Sequence, residues 1–150
     1  MYAFKRFFAM IIAGIVALAA LTFVRAFSIS KFSALQGTRT FYLYSASSQA
    51  LRTEHLSLRD LPFVRGESVR LTQAEKSRLG NSANEIAQSI AKDYGATIAV
   101  EETACGTTSY YAYAPTLGKC VWVGGQPVNL HIAVSQTACA VGSPIIFDGF

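Results

Sequence analysis

Ser82 to Gly95 reads SANEIAQSIAKDYG, and this stretch decides the fold class. Ser82-Ala83-Asn84-Glu85 fits a capping box, in which the serine side chain accepts from the N–H of residue 85 and the glutamate reaches back to the N–H of Ser82. Ala83, Ile86, Ala87, Ile90, Ala91 and Tyr94 then recur at helical spacing, which makes one apolar stripe. Lys92 suits the last turn, and Gly95 is placed to end the helix in the left-handed conformation. A helix with small alanines along its buried stripe lies close on a sheet, so strands are expected on both sides of it.

They are there. Downstream, Ala96 to Glu101 alternates, with Ala96, Ile98 and Val100 on one face. Thr107 to Ala114 is rich in threonine and tyrosine, Lys119 to Val123 is short and apolar, and Gly124-Gly125 reads as a hairpin turn. Val128 to Ser135 directs Val128, Leu130, Ile132 and Val134 inward and Asn129, His131 and Ala133 outward, while Val141 to Phe147 is apolar but interrupted by Pro144. Upstream, Arg39 to Ser45 alternates Phe41 and Leu43 with Tyr42 and Tyr44, and Phe63 to Leu71 reads as strand, loop and strand around Gly66. Leu51 to Arg59 shows no clean period, and Thr72-Gln73-Ala74-Glu75 marks a separate short turn of helix. The reading is α+β: one helix packed on a mainly antiparallel sheet of four to six strands, within residues 39–150.

Ahead of this lie two other segments. Phe7 to Val24, FFAMIIAGIVALAALTFV, has neither charge nor proline, and its length of roughly 27 Å approaches the hydrocarbon thickness of a bilayer. Residues 1–27 are therefore expected to form an N-terminal transmembrane helix, a single-pass signal anchor that touches the membrane through residues 7–24, and residues 28–38 a linker. A cleaved signal peptide is the competing reading, with Ser28-Ile29-Ser30 as a small-x-small site. Charge divides in the same place. Residues 1–39 hold Lys5, Arg6, Arg25, Lys31 and Arg39 and no acid. Residues 40–150 hold eight basic side chains against nine acids, a formal charge of −1. The pI near 9.1 thus belongs to the N-terminal flanks, and the domain lacks the basic surface that nucleic-acid binding requires.

Few residues here suggest catalysis. Cys105, Cys120 and Cys139 match no zinc spacing and form no CxxC. One disulfide, Cys105 with Cys120, and three unpaired thiols are both open. His55 and His131 share no ligand spacing, so no metal or other cofactor is expected. Glu101 and Glu102 are adjacent and face opposite ways on a strand, which leaves them unsuited to paired-carboxylate chemistry. A cysteine-dependent hydrolase or thiol-active enzyme would need Cys120 or Cys105 as nucleophile and His131 as base, facing across the Gly124-Gly125 hairpin. The most unusual feature is aromatic. Tyr110, Tyr111 and Tyr113 share one strand, and with Asn129 and His131 they make a candidate binding surface.

The run Val128-Asn129-Leu130-His131-Ile132-Ala133-Val134, followed by Ala140-Val141-Gly142-Ser143-Pro144-Ile145-Ile146, resembles the C-terminal signature of the YwmB family. The resemblance covers about residues 82–147. It implies an exported protein with a fold similar to one half of the TATA-box-binding protein, a helix on a curved antiparallel sheet. This chain has room for one such unit where family members usually carry two. The expectation is a membrane-anchored, non-enzymatic domain outside the cytoplasm that binds an envelope protein or peptide or associates with itself.

Overall fold

A computed structural model describes residues 10–21 and 30–147 and divides the chain into two compact units, Met1–Ser33 and Ala34–Phe150. In the first unit, residues 10–21 form a helix, α1, whose twelve side chains are all exposed. At 1.5 Å per residue its described residues span about 18 Å, against about 30 Å of hydrocarbon. Among the described residues no helix is long and apolar enough to cross a membrane. This corrects the expected transmembrane helix over residues 7–24, whose residues 7–9 and 22–24 lie outside the described residues.

The second unit carries one seven-stranded, wholly antiparallel sheet and a separate two-stranded hairpin. Its elements are β1 (Gly37–Leu43), β2 (Leu51–Thr53), β3 (Val64–Leu71), α2 (Gln73–Leu79), α3 (Ala83–Asp93), β4 (Thr97–Ala104), β5 (Thr107–Tyr113), β6 (Val121–Val123), β7 (Gln126–Val128), β8 (Leu130–Val134) and β9 (Cys139–Ser143). The sheet order is β2-β1-β3-β9-β8-β5-β4. The α+β class holds, but seven strands replace the expected four to six, and two helices replace one in this unit. The extra strand on the β1 side is β2, whose three residues are too few to show a period in sequence. Val64 to Leu71 is also one strand, where strand, loop and strand were expected over Phe63 to Leu71. Gly66 lies within it, and a Cβ there would meet Ser143 O at 2.8 Å and the Tyr42 ring at 3.1 Å, so the close approach of its neighbours requires glycine.

α3 forms where its signals put it. Ser82 Oγ accepts from the Glu85 N–H at 3.2 Å, and Gly95 takes φ +60°. The glutamate half of the box shifts by one residue, since Glu85 Oε2 accepts from the Asn81 N–H at 2.8 Å. At α2, Thr72 Oγ1 caps Glu75 N–H, but the buried Glu75 carboxylate turns to Arg78, whose Nη2 and Nε donate at 2.8 and 2.9 Å. That bidentate pairing holds the Glu75 carboxyl below the usual carboxylate range.

The two faces of the sheet are covered differently. Ladder partners share a face, so Val69–Val141–Ile132–Tyr110 line one side and Ser68–Gly142–His131–Tyr111 the other. α3 covers the first through Ile86, Ala87, Ile90 and Ala91, all buried. The second is crossed by the chain after β9. Gly142 leaves room for it, because a Cβ there would meet Ile146 Cγ1 at 2.7 Å. Phe147 sets its ring edge-on against Tyr42 at 5.2 Å, and its N–H donates to the Tyr42 hydroxyl at 3.2 Å. This segment, residues 144–147, acts as a strap. It explains why both alternating sets in β8 are buried, whereas Asn129, His131 and Ala133 were expected to face outward.

Candidate functional site

Two tight turns connect neighbouring strands of this unit. Cys105 and Gly106, at φ +50° and +78°, join β4 to β5; Gly124 and Gly125, at +56° and +79°, join β6 to β7. Paired positive φ values at two-residue loops match the twist of the flanking strands. Strand β7 of the second hairpin packs against β4 and β5, and Trp122 of β6, opposite Pro127, is 71% exposed.

Asn129 fixes how that hairpin leaves the sheet. Its Oδ1 accepts from the Ala114 N–H at 2.7 Å, and its Nδ2 donates to Ala114 O at 2.8 Å and Gly118 O at 3.1 Å. Wholly buried, it braces the 3-10 turn Pro115–Leu117 and is not part of a surface. Tyr110 likewise lies inside, under the helical face, where burial raises its pKa. Tyr111 and Tyr113 stand on the opposite face, and Tyr113 is exposed. The five candidate surface residues are therefore divided: alternation along β5 separates Tyr110 from its neighbours, and only Tyr111 and Tyr113 reach the open side.

His131 lies next to Tyr111, its ring stacked at 4.4 Å and 18°. Nδ1 accepts from the Ile146 N–H of the strap at 3.1 Å, while Nε2 is buried without a hydrogen-bond partner. Burial pushes its pKa down to about 4, so the ring is neutral at pH 7. Neither nitrogen meets a thiol. Cys105 and Cys120 are free and exposed; Cys139 is free and buried, and burial raises its thiol to about 12. The structure does not bring His131 to Cys105 or Cys120, and it forms no bridge between those two cysteines. Among the described residues no three His, Cys, Asp or Glu side chains converge on one point.

A cleft of about 390 Å³ opens at the start of α3, lined by Lys76, Ser82, Ile86, Thr108 and Val134 among others. Its polar groups are engaged within the chain: Lys76 Nζ donates to Ser135 O at 2.9 Å and Gln136 O at 2.7 Å, and Ser82 caps the helix. What remains open is the edge of the sheet. β4 is eight residues long, has no residue buried, and pairs on one side only among the described residues. Its partner strand β5 carries Tyr111 and Tyr113, and the hairpin whose β7 touches β4 carries Trp122. Sequence reading missed Trp122, although a lone tryptophan next to a Gly-Gly turn is a usable signal for a residue held out at a hairpin tip.

Compared with protein-family models, with curated proteins and with solved structures, the chain gave no match in any of the three.

Proposed function

We propose that this chain is a non-enzymatic protein-binding domain that takes an extended segment of a partner alongside β4. The observation that carries it is the pairing of an eight-residue open edge with exposed Trp122 and Tyr113. An added strand gains affinity from backbone hydrogen bonds, and neighbouring aromatic rings supply the anchors that dominate binding energy. Tyr113 is opposite Thr97 at the start of β4, and β7 touches the same strand. A partner strand at that end of β4 would lie one strand away from Tyr113 and close to the hairpin that carries Trp122.

The partner is placed outside the cytoplasm, in the cell envelope, as the likeness to the exported YwmB family implies. Two experiments test these statements. A photo-crosslinking residue at Thr103, on β4, is expected to give an adduct in living cells that Trp122→Ala weakens at least several-fold. The same residue at exposed Asn84 on α3 serves as control, and equal yields at both positions would overturn the edge reading. For location, a membrane-impermeant thiol reagent on intact cells is expected to label Cys105 and Cys120 but not buried Cys139. Labelling that begins only after lysis places the domain on the other side.

A further inference from the structure

We propose that the segment taken along β4 is the opposite edge of the same sheet, β2, in a second copy of this chain. The inference rests on the edge reading above and supplies its partner. Both ends of the seven-stranded sheet are open among the described residues, and they carry opposite charge. Residues 97–113, the β4–β5 hairpin, hold Glu101 and Glu102 and no base. Residues 51–65 hold Arg52, Arg59 and Arg65 against Glu54 and Asp60. Asp60 is engaged locally, accepting from the N–H and hydroxyl of Ser57 at 2.9 and 2.7 Å.

Charged side chains on edge strands commonly keep like copies apart. That guard works when both edges carry one sign, and here they do not. The ladder also matches their faces. Arg52 is opposite Tyr42, on the strap side of the sheet, and Glu102 is opposite Ser109, on the same side. Six antiparallel steps separate β2 from β4, so the two edges run in the same direction. A sheet continued from β2 of one molecule to β4 of the next, with the strap faces on one side, joins them in parallel and brings arginine and glutamate together on one face. In that parallel register Leu51 neighbours Glu101 and Thr53 neighbours Thr103.

The local surface suits the pairing. β4 slips register between Ile98 and Val100 but runs regularly from Val100 to Ala104, which leaves five residues for a partner. In β2, Leu51 is 60% exposed, and Tyr44, which follows β1 and is itself exposed, lies against Phe63 at 4.9 Å between centroids. A strand laid on β2 covers this apolar border. Because the two surfaces differ, the contact is head to tail and can repeat from molecule to molecule. A three-residue strand makes it weak, so assembly grows with concentration and falls with salt.

Sedimentation velocity on the full chain across a concentration series tests the pairing. Wild type is expected to show a sedimentation coefficient that rises with concentration and falls back in high salt. Arg52→Glu and Glu102→Arg should each remain monomeric alone, and an equimolar mixture should associate again, since each then meets its opposite. Arg52 also donates to Ser48 O and Phe147 O. If Arg52→Glu fails to fold, Glu102→Arg alone carries the test and must abolish association. A wild type that stays monomeric, or association that both reversals leave unchanged, overturns the proposal. A monomer that still crosslinks a different protein from Thr103 overturns only the self-pairing. Loss of both results overturns the edge reading as well.

Discussion

In β8 and β9, at the middle of the sheet, every side chain is buried; in β4, at its edge, none is. The strands share one antiparallel ladder, so pairing does not make the difference. Covering does. β8 and β9 have α3 on one side and the strap on the other, and β4 has an open side along its whole length. The stability of the domain is concentrated where both faces are covered, and the surface free to meet a partner lies where neither backbone edge nor side chains are fully engaged.

Replacement of apolar side chains breaks or sharpens this contrast most directly. Ile132→Ala, in a wholly buried position of β8, is expected to cost about 3–4 kcal/mol. Val100→Ala, half-buried on β4, is expected to cost under about 1 kcal/mol. Urea denaturation of both variants measures the difference, and equal costs would erase the distinction between centre and edge.

Acid should act on the centre as well. The folded pKa of His131, about 4, lies below its ordinary value of 6.5, so the unfolded chain takes up the proton first. His131 therefore favours folding fully above pH 6.5, and this contribution is lost as pH falls toward 4. At about 1.4 kcal/mol per unit, the loss approaches about 3 kcal/mol. Protonation also turns Nδ1 from acceptor to donor against the Ile146 N–H, which frees the strap. His131→Phe, which retains a ring to stack on Tyr111, should flatten this part of the stability profile between pH 6.5 and 4. An unchanged profile in that variant would assign the acid sensitivity to other groups.

The junction between the two regions comes next. Asn129→Ala removes two buried hydrogen bonds to Ala114 and a part-buried one to Gly118 and is expected to cost roughly 2–3 kcal/mol. It should also loosen the β6–β7 hairpin, which the emission of Trp122, the single tryptophan, reports. The smallest effect on stability belongs to Trp122→Ala, within about 0.5 kcal/mol of wild type because the ring is exposed. Its consequence should appear in crosslinking from Thr103. A variant that loses stability but not adduct would reverse the roles given to hairpin and edge.

Much of the fold was legible where neighbours in sequence set the structure. The stripe from Ala83 to Ala91 made α3, Gly95 ended it, and Gly124-Gly125 made a hairpin. The candidate site was less legible. Tyr111 and Tyr113 could be placed on one face by alternation, but Asn129 and His131 were read as outward residues because β8 alternates like a half-exposed strand. The strap that buries His131 approaches from beyond β9, and nothing inside Leu130 to Val134 encodes it. The short β2 was missed for a related reason: three residues hold no period, and only pairing with Phe41 to Leu43 makes them a strand.

The sequence by itself determined the helix caps, the two-residue turns and the alternation of β4 and β5, because these follow from hydrogen bonds and steric limits acting over a few residues. The tertiary structure alone decided the strand order, which sets Val69 of β3 beside Val141 of β9, and which side of each strand is covered. It also decided that His131 meets Tyr111 and the strap instead of a thiol, and that the ends of the sheet carry opposite charge. Those outcomes rest on pairings between distant parts of the chain, whose closure depends on how the whole sheet packs.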